Sequence, residues 1–126
     1  MTFTLTKRFD FEAAHQLPWH NGKCKNLHGH SYKLEVDIEG ELNENGIVED
    51  FYEVSKICKG EIVNVYDHKL LNDYFENPTA EVMAREFFKI IDTHWVNGGF
   101  SGKLSAVRLW ETENSWVQYK PYETKG

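Results

Sequence analysis

The chain has 126 residues, 40% of them hydrophobic, and a net charge of −6 with acids and bases interspersed. That length is one domain, and four Trp, six Tyr and eight Phe are enough to fill its core. The charge argues against a nucleic-acid surface as the main business. No apolar run approaches the roughly 20 residues of a membrane helix, and MTFTLTKRFDF lacks a secretory pattern, as expected of a cytoplasmic protein.

Residues 2–15 alternate. Phe3, Leu5, Phe9 and Phe11 share one face, and Thr2, Thr4, Thr6, Arg8, Asp10 and Glu12 take the other, which predicts a long strand with one wet face. The same parity puts Ala13 and His15 on the apolar side. Residues 16–27 carry Pro18, Asn21, Gly22 and Asn26 and read as a loop. Residues 30–40 alternate again, with Tyr32, Leu34, Val36 and Ile38 on one face; extended backwards, His30 and His28 join it. Gly29 is read as removing bulk between the two imidazoles. Asp50 is expected to cap a helix, with Glu53 in the capping-box position. Phe51, Val54, Ile57, Cys58, Ile62 and Val65 form its stripe, weakened at Gly60. Asp67-His68 falls in a break after this helix. A second helix starts near Asn77-Pro78-Thr79, with Asn77 or Thr79 as cap and Pro78 in the first turn. It buries Met83, Phe87, Ile90, Ile91 and Trp95. Residues 104–112 and 115–120 read as two strands joined by a turn at Glu113-Asn114. The expected fold is α+β: a four-stranded antiparallel sheet with two helices on one face, in the order β-β-α-α-β-β.

Three groups carry chemistry. His15, His28 and His30 would bring three uncharged imidazoles to an apolar face, a costly arrangement that a zinc ion would satisfy. Three histidines leave a fourth position open, as in catalytic zinc sites. Cys24 could close it as a structural ligand, or stay free as a base or nucleophile with its pKa lowered by Lys23, Lys25 and the metal. Cys58 reads as a small buried apolar residue, and a disulfide between the two is not expected. Asp67-His68 is either a proton carrier or a pair of surface residues. Glu111 falls in phase with Val107 and Leu109, although Ala106 and Trp110 leave the facing of that strand open. A buried carboxylate there could accept two parallel N–H bonds from a guanidine-like ring edge, or it could be an edge-strand charge exposed to water. Glu81, in the first turn of the second helix, fits the helix dipole.

Six blocks, in order, resemble the 6-pyruvoyltetrahydropterin synthase / 6-carboxytetrahydropterin synthase family. They are Phe11-Glu12-Ala13-Ala14-His15, Cys24-x3-His28-Gly29-His30, Asp50-Phe51, Asp67-His68-x-Leu70-Leu71-Asn72, Asn77-Pro78-Thr79-Ala80-Glu81 and Glu111-Thr112. Three residues between Cys24 and His28 resemble the bacterial 6-carboxy branch that serves queuosine synthesis. The resemblance implies a tunnelling fold over residues 1–126, with subunits joining their sheets into a barrel as a homo-oligomer (hexamer or tetramer) and active sites at the interfaces. It implies zinc on His15, His28 and His30, Cys24 as general base, and Asp67 and His68 as a proton relay. Glu111 would anchor a pterin, with Thr79 and Glu81 near its pocket. Lys23 is placed against the triphosphate from charge and proximity. The implied reaction is zinc-dependent conversion of 7,8-dihydroneopterin triphosphate to 6-carboxy-5,6,7,8-tetrahydropterin, releasing acetaldehyde and triphosphate. The alternatives are a pyruvoyl product, aldolase-like side-chain cleavage, or a non-catalytic zinc-stabilised module. The tail, residues 113–126, departs most from these blocks.

Overall fold

Period-two alternation carries the first strand to its end without a bulge. In the computed structural model, which describes residues 1–121, β1 spans Phe3–His15. Phe9, Phe11, Ala13 and His15 are buried, whereas Thr4, Thr6, Arg8, Asp10 and Glu12 are exposed. β2 spans His28–Gly40, starting ahead of the expected residue 30, and pairs antiparallel to β1 from Phe3↔Gly40 to His15↔His28. The end of the C-terminal tail, residues 122–126, lies outside the described residues.

Asp50 caps α1, Phe51–Cys58, accepting the Tyr52 N–H at 2.9 Å. The expected capping box is not made: the Asp50 N–H goes to the carboxylate of the preceding Glu49 at 2.9 Å instead of to Glu53. Val54, Cys58 and Ile62 form the buried stripe, but Phe51 lies outside it, lining a surface pocket with Phe3, Leu42 and Ile47. Burial pushes the Cys58 thiol up to about 12, so it packs as an apolar group. Gly60 sits in a π-helical turn, Lys59–Val63, before α2, Asn64–Tyr66, completes one helical path.

The second long helix, α3, spans Ala80–Asn97, and Thr79 is its cap, accepting the Val82 N–H at 3.1 Å. Pro78 therefore precedes the cap and does not open the first turn, which frees its carbonyl for another partner. Met83, Phe87, Ile91 and Trp95 are buried in one core with Phe11, Tyr32, Leu34 and Leu109. Each such side chain contributes about 1.5–3 kcal/mol by leaving water.

The expectation of four antiparallel strands is corrected. β3 is the two-residue strand Lys69–Leu70, β4 spans Lys103–Thr112 and β5 spans Ser115–Tyr119. The sheet has five strands in the order β3-β1-β2-β4-β5, and β3 runs parallel to β1 beside Ala13 and Ala14. The reason is local: the break after α2 returns the chain to the open edge of β1, where two residues pair before Leu71–Asp73 turns away.

The sheet face away from the core is held by charge. Arg108 donates to Glu35 at 2.9 Å and to both oxygens of Asp37, and Thr6 donates to Asp37 at 2.7 Å. Asp37 is buried on a parity that otherwise faces water, which is tolerated because it is paired. No helix among the described residues is long and apolar enough to cross a membrane.

Candidate active site

The antiparallel register explains why three histidines meet. His15 lies opposite His28, and His30 lies opposite Ala13, all on the core side of the sheet. The three ring centroids are 4.6, 5.1 and 4.8 Å apart. Their nearest ring nitrogens form a group in which all ligand atoms lie within 4.8 Å of one another. Cys24 and Glu111 are outside that group.

Two backbone carbonyls orient the rings. His15 Nδ1 donates to the Pro78 carbonyl at 2.8 Å, and His28 Nδ1 donates to the Asn26 carbonyl at 2.7 Å. Those bonds fix the tautomers. They leave the two Nε2 lone pairs facing each other at 2.9 Å, a contact that a shared proton or a bound metal cation would relieve. His30 Nε2 is buried without a hydrogen-bond partner; Glu111 Oε2 lies 3.1 Å away, but off the direction of a hydrogen bond. Burial lowers the His15 pKa, keeping the ring neutral as a ligand must be. Three neutral nitrogens, two oriented and one orphaned, fit a zinc ion.

Glu111 faces this centre. Its Oε2 lies 3.9 Å from His15 Nε2 as well as beside His30, and contact with His30 holds its carboxyl below the ordinary range. It shares the parity of Val107 and Leu109, both fully buried, and so faces the core side of the sheet, on a strand with two irregularities. Ser105 is an extra residue between Leu104 and Ala106, and the register shifts again between Trp110 and Thr112.

Cys24 is half-buried in a 3₁₀ turn, Lys23–Lys25, on the loop between β1 and β2. The Leu17 N–H closes the loop on the Cys24 carbonyl at 2.8 Å. Lys23 is exposed on the same turn.

Asp67 and His68 form the turn between α2 and β3. The Glu12 N–H donates to Asp67 Oδ1 at 2.8 Å, and the His68 N–H donates to the Glu12 carbonyl. Their side chains pair, with His68 Nδ1 3.1 Å from Asp67 Oδ2. His68 has φ 61°, a strained value for a residue that is not glycine. Its ring is largely exposed and lines a pocket of about 490 Å³ with Glu12, Gly29, His30 and Lys69. Gly29 therefore keeps that pocket clear rather than the metal side; a methyl there would make ordinary contact, 3.6 Å from the Ala13 carbonyl.

The bond from Glu12 holds the Asp67 carboxyl below the ordinary carboxylate range, and His68 adds to it. A depressed folded-state pKa stabilises the fold above the unfolded value, about 3.9, and that contribution is lost as pH falls through the folded value. Asp67→Asn keeps an acceptor oxygen for the Glu12 N–H, removes the charge, and replaces the oxygen facing His68 with an amide NH2. The variant is expected to melt below the parent at pH 7, and the gap should close below about pH 4; thermal melts at a series of pH values check this.

The structure brings His15, His28, His30 and Glu111 together, whereas His68 lines a pocket with Glu12, Gly29 and Ser31, on the sheet face opposite the three imidazoles. Cys24, Lys23 and Glu81 lie outside the histidine group; Glu81 is exposed, and the Thr79 hydroxyl is engaged as a cap. Sequence reasoning missed the carbonyls of Pro78 and Asn26, because any residue supplies a carbonyl. It also missed the backbone of Glu12 as the partner of Asp67-His68.

Residues 4–122 match the family model for 6-pyruvoyl tetrahydropterin synthase. The chain belongs to the 6-pyruvoyl tetrahydropterin synthase family. A Haemophilus influenzae 6-carboxy-5,6,7,8-tetrahydropterin synthase is 34% identical over 144 residues, covering 94% of this chain and 99% of that protein. A Synechocystis 6-carboxy-5,6,7,8-tetrahydropterin synthase is 38% identical over 120 residues, covering 90% and 89%. The solved structure of Caenorhabditis elegans 6-pyruvoyl tetrahydropterin synthase superposes with a TM-score of 0.82 at 26% identity, covering 97% of each chain. Membership places this chain among tetrahydropterin synthases, and the superposition assigns it their α+β fold.

Proposed function

We propose that this chain is a zinc-dependent 6-carboxytetrahydropterin synthase, converting 7,8-dihydroneopterin triphosphate to 6-carboxy-5,6,7,8-tetrahydropterin, acetaldehyde and triphosphate, as a step toward queuosine. The observation that carries the metal centre is the orphaned Nε2 of His30 beside the opposed Nε2 atoms of His15 and His28. The choice of product is supported by the 6-carboxy relatives and by the three-residue gap between Cys24 and His28.

Each residue then has a task. Zinc, when bound by His15, His28 and His30, would supply Lewis-acid stabilisation of the charge that develops on the substrate side chain. Glu111 accepts N–H bonds from the pterin ring edge and orients it above the histidines. Cys24, as thiolate, takes a proton from the side chain. The Asp67-His68 pair returns one to the ring, with Asp67 orienting the imidazole through their 3.1 Å contact. Thr79, Glu81 and Lys23 stand further out, with Lys23 the cation offered to the triphosphate. A thiol off the metal also favours an enzyme over a zinc-stabilised module, since Cys24 is absent from the ligand group.

We also propose assembly into a homo-oligomeric barrel with active sites at the interfaces. Among the described residues, β1 pairs on its outer side only at Ala13 and Ala14, and β5 pairs only with β4. Joining those two edges between subunits would cover both.

Product analysis tests the reaction. Acetaldehyde formed in a one-to-one ratio with triphosphate is expected; triphosphate release without acetaldehyde would replace the carboxy reading with the pyruvoyl one.

A further inference from the structure

Segment 67–78 runs beside residues 12–19 and is tied to them repeatedly. After β3 ends, the Asn72 carboxamide continues the pairing as a sheet rung would. Its Oδ1 accepts the Gln16 N–H and its Nδ2 donates to the Gln16 carbonyl, both at 2.9 Å. Gln16 opens the loop that carries Cys24. The next residue, Leu17, is buried and holds the Cys24 carbonyl at 2.8 Å. The loop neck is thus two adjacent rungs, Asn72 to Gln16 and Leu17 to Cys24. Further out, the indole of Trp19, 60% exposed, donates to Asn77 Oδ1 at 2.8 Å. The two asparagines hold the near and far parts of one loop limb.

We propose that Asn72 and Asn77 are positioning residues that set where Cys24 sits, acting through the main chain of Gln16 and the ring of Trp19. The proposal rests on the reading of Cys24 as the base. A base works only within hydrogen-bond reach of its proton, and a misplacement of about 1 Å costs on the order of 100-fold. His15 keeps its own supports, since strand pairing with His28 and the Pro78 main-chain carbonyl hold it and neither is a side-chain group that these substitutions remove.

The test joins kinetics to a readout that needs no substrate. Asn72→Ala is expected to lower kcat about 10- to 100-fold, with KM within about twofold and zinc content unchanged. In metal-free protein, Cys24 should react with iodoacetamide about threefold faster or more, since loosening the loop exposes the half-buried thiol. Cys58 is fully buried and leaves the signal to Cys24. Asn72→Asp, which sets a carboxylate oxygen against the Gln16 carbonyl, should move both readouts the same way. If Asn72→Ala fails to fold, Asn77→Ala carries the test, because it removes a bond on the exposed rim; its alkylation rate should rise too. A folded Asn72→Ala with parental kcat and alkylation rate, an Asn77→Ala with parental alkylation, or zinc lost in step with kcat would each overturn the proposal. A parent protein inert toward the pterin would instead sink the functional reading, and the alkylation rates would still decide the loop.

Discussion

Cys24→Ala is expected to abolish turnover while leaving one zinc per chain. The substitution removes the proposed base and touches no imidazole: Cys24 lies outside the histidine group, and the Leu17 bond goes to its backbone carbonyl, which alanine retains. Loss of a general base costs about 100- to 10,000-fold in rate. Metal analysis and steady-state kinetics on the same preparation check it. If the zinc leaves with the thiol, Cys24 is a ligand and the centre is structural.

Two histidine variants should separate metal binding from folding. A partner that merely orients a metal ligand is worth about 10- to 100-fold in affinity, so deleting a ligand costs more. His15→Ala and His28→Ala should both weaken zinc by over about 100-fold, read by chelator competition. They should differ in the metal-free protein. His15 is fully buried and its Nδ1 satisfies the Pro78 carbonyl, so His15→Ala leaves a cavity and an unpaired acceptor. That costs about 2–4 kcal/mol in urea unfolding. His28 is half-exposed, and the Asn26 carbonyl it releases can turn to water. His28→Ala should therefore stay within about 1 kcal/mol of the parent. Equal destabilisation by both would contradict this division.

The meeting of the three histidines was legible in the sequence because β1 and β2 keep strict alternation up to them, so counting residues fixes their face. Glu111 was harder to assign. It keeps the parity of Val107 and Leu109, but Ala106, beside the extra residue at Ser105, is buried as well, so apolar residues on both parities obscured the facing of the strand. β3 escaped notice because two residues, Lys69 and Leu70, carry no periodicity and pair through main-chain groups alone. The same reason hid Pro78 and Asn26. Asn72 stood in a recognised block, yet its bond to Gln16 spans 56 positions, a distance that no local pattern reports.

The proposed relay residues show the opposite relation. Asp67-His68 was legible as a titratable pair, and the turn that presents it was expected. What the sequence did not convey is its anchoring to Glu12 and the positive φ of His68, both products of tertiary contact. The imidazole lines the pocket beside Glu12, Gly29 and Ser31, on the sheet face opposite the three histidine rings.

The most direct measurement is a zinc titration of metal-free protein with 7,8-dihydroneopterin triphosphate present, following the pterin by mass. Conversion to the 6-carboxy product should be absent at the start, rise linearly with zinc, and level off at one equivalent per chain. Conversion that is indifferent to metal removal, or a pterin that stays intact at full zinc loading, would contradict the account.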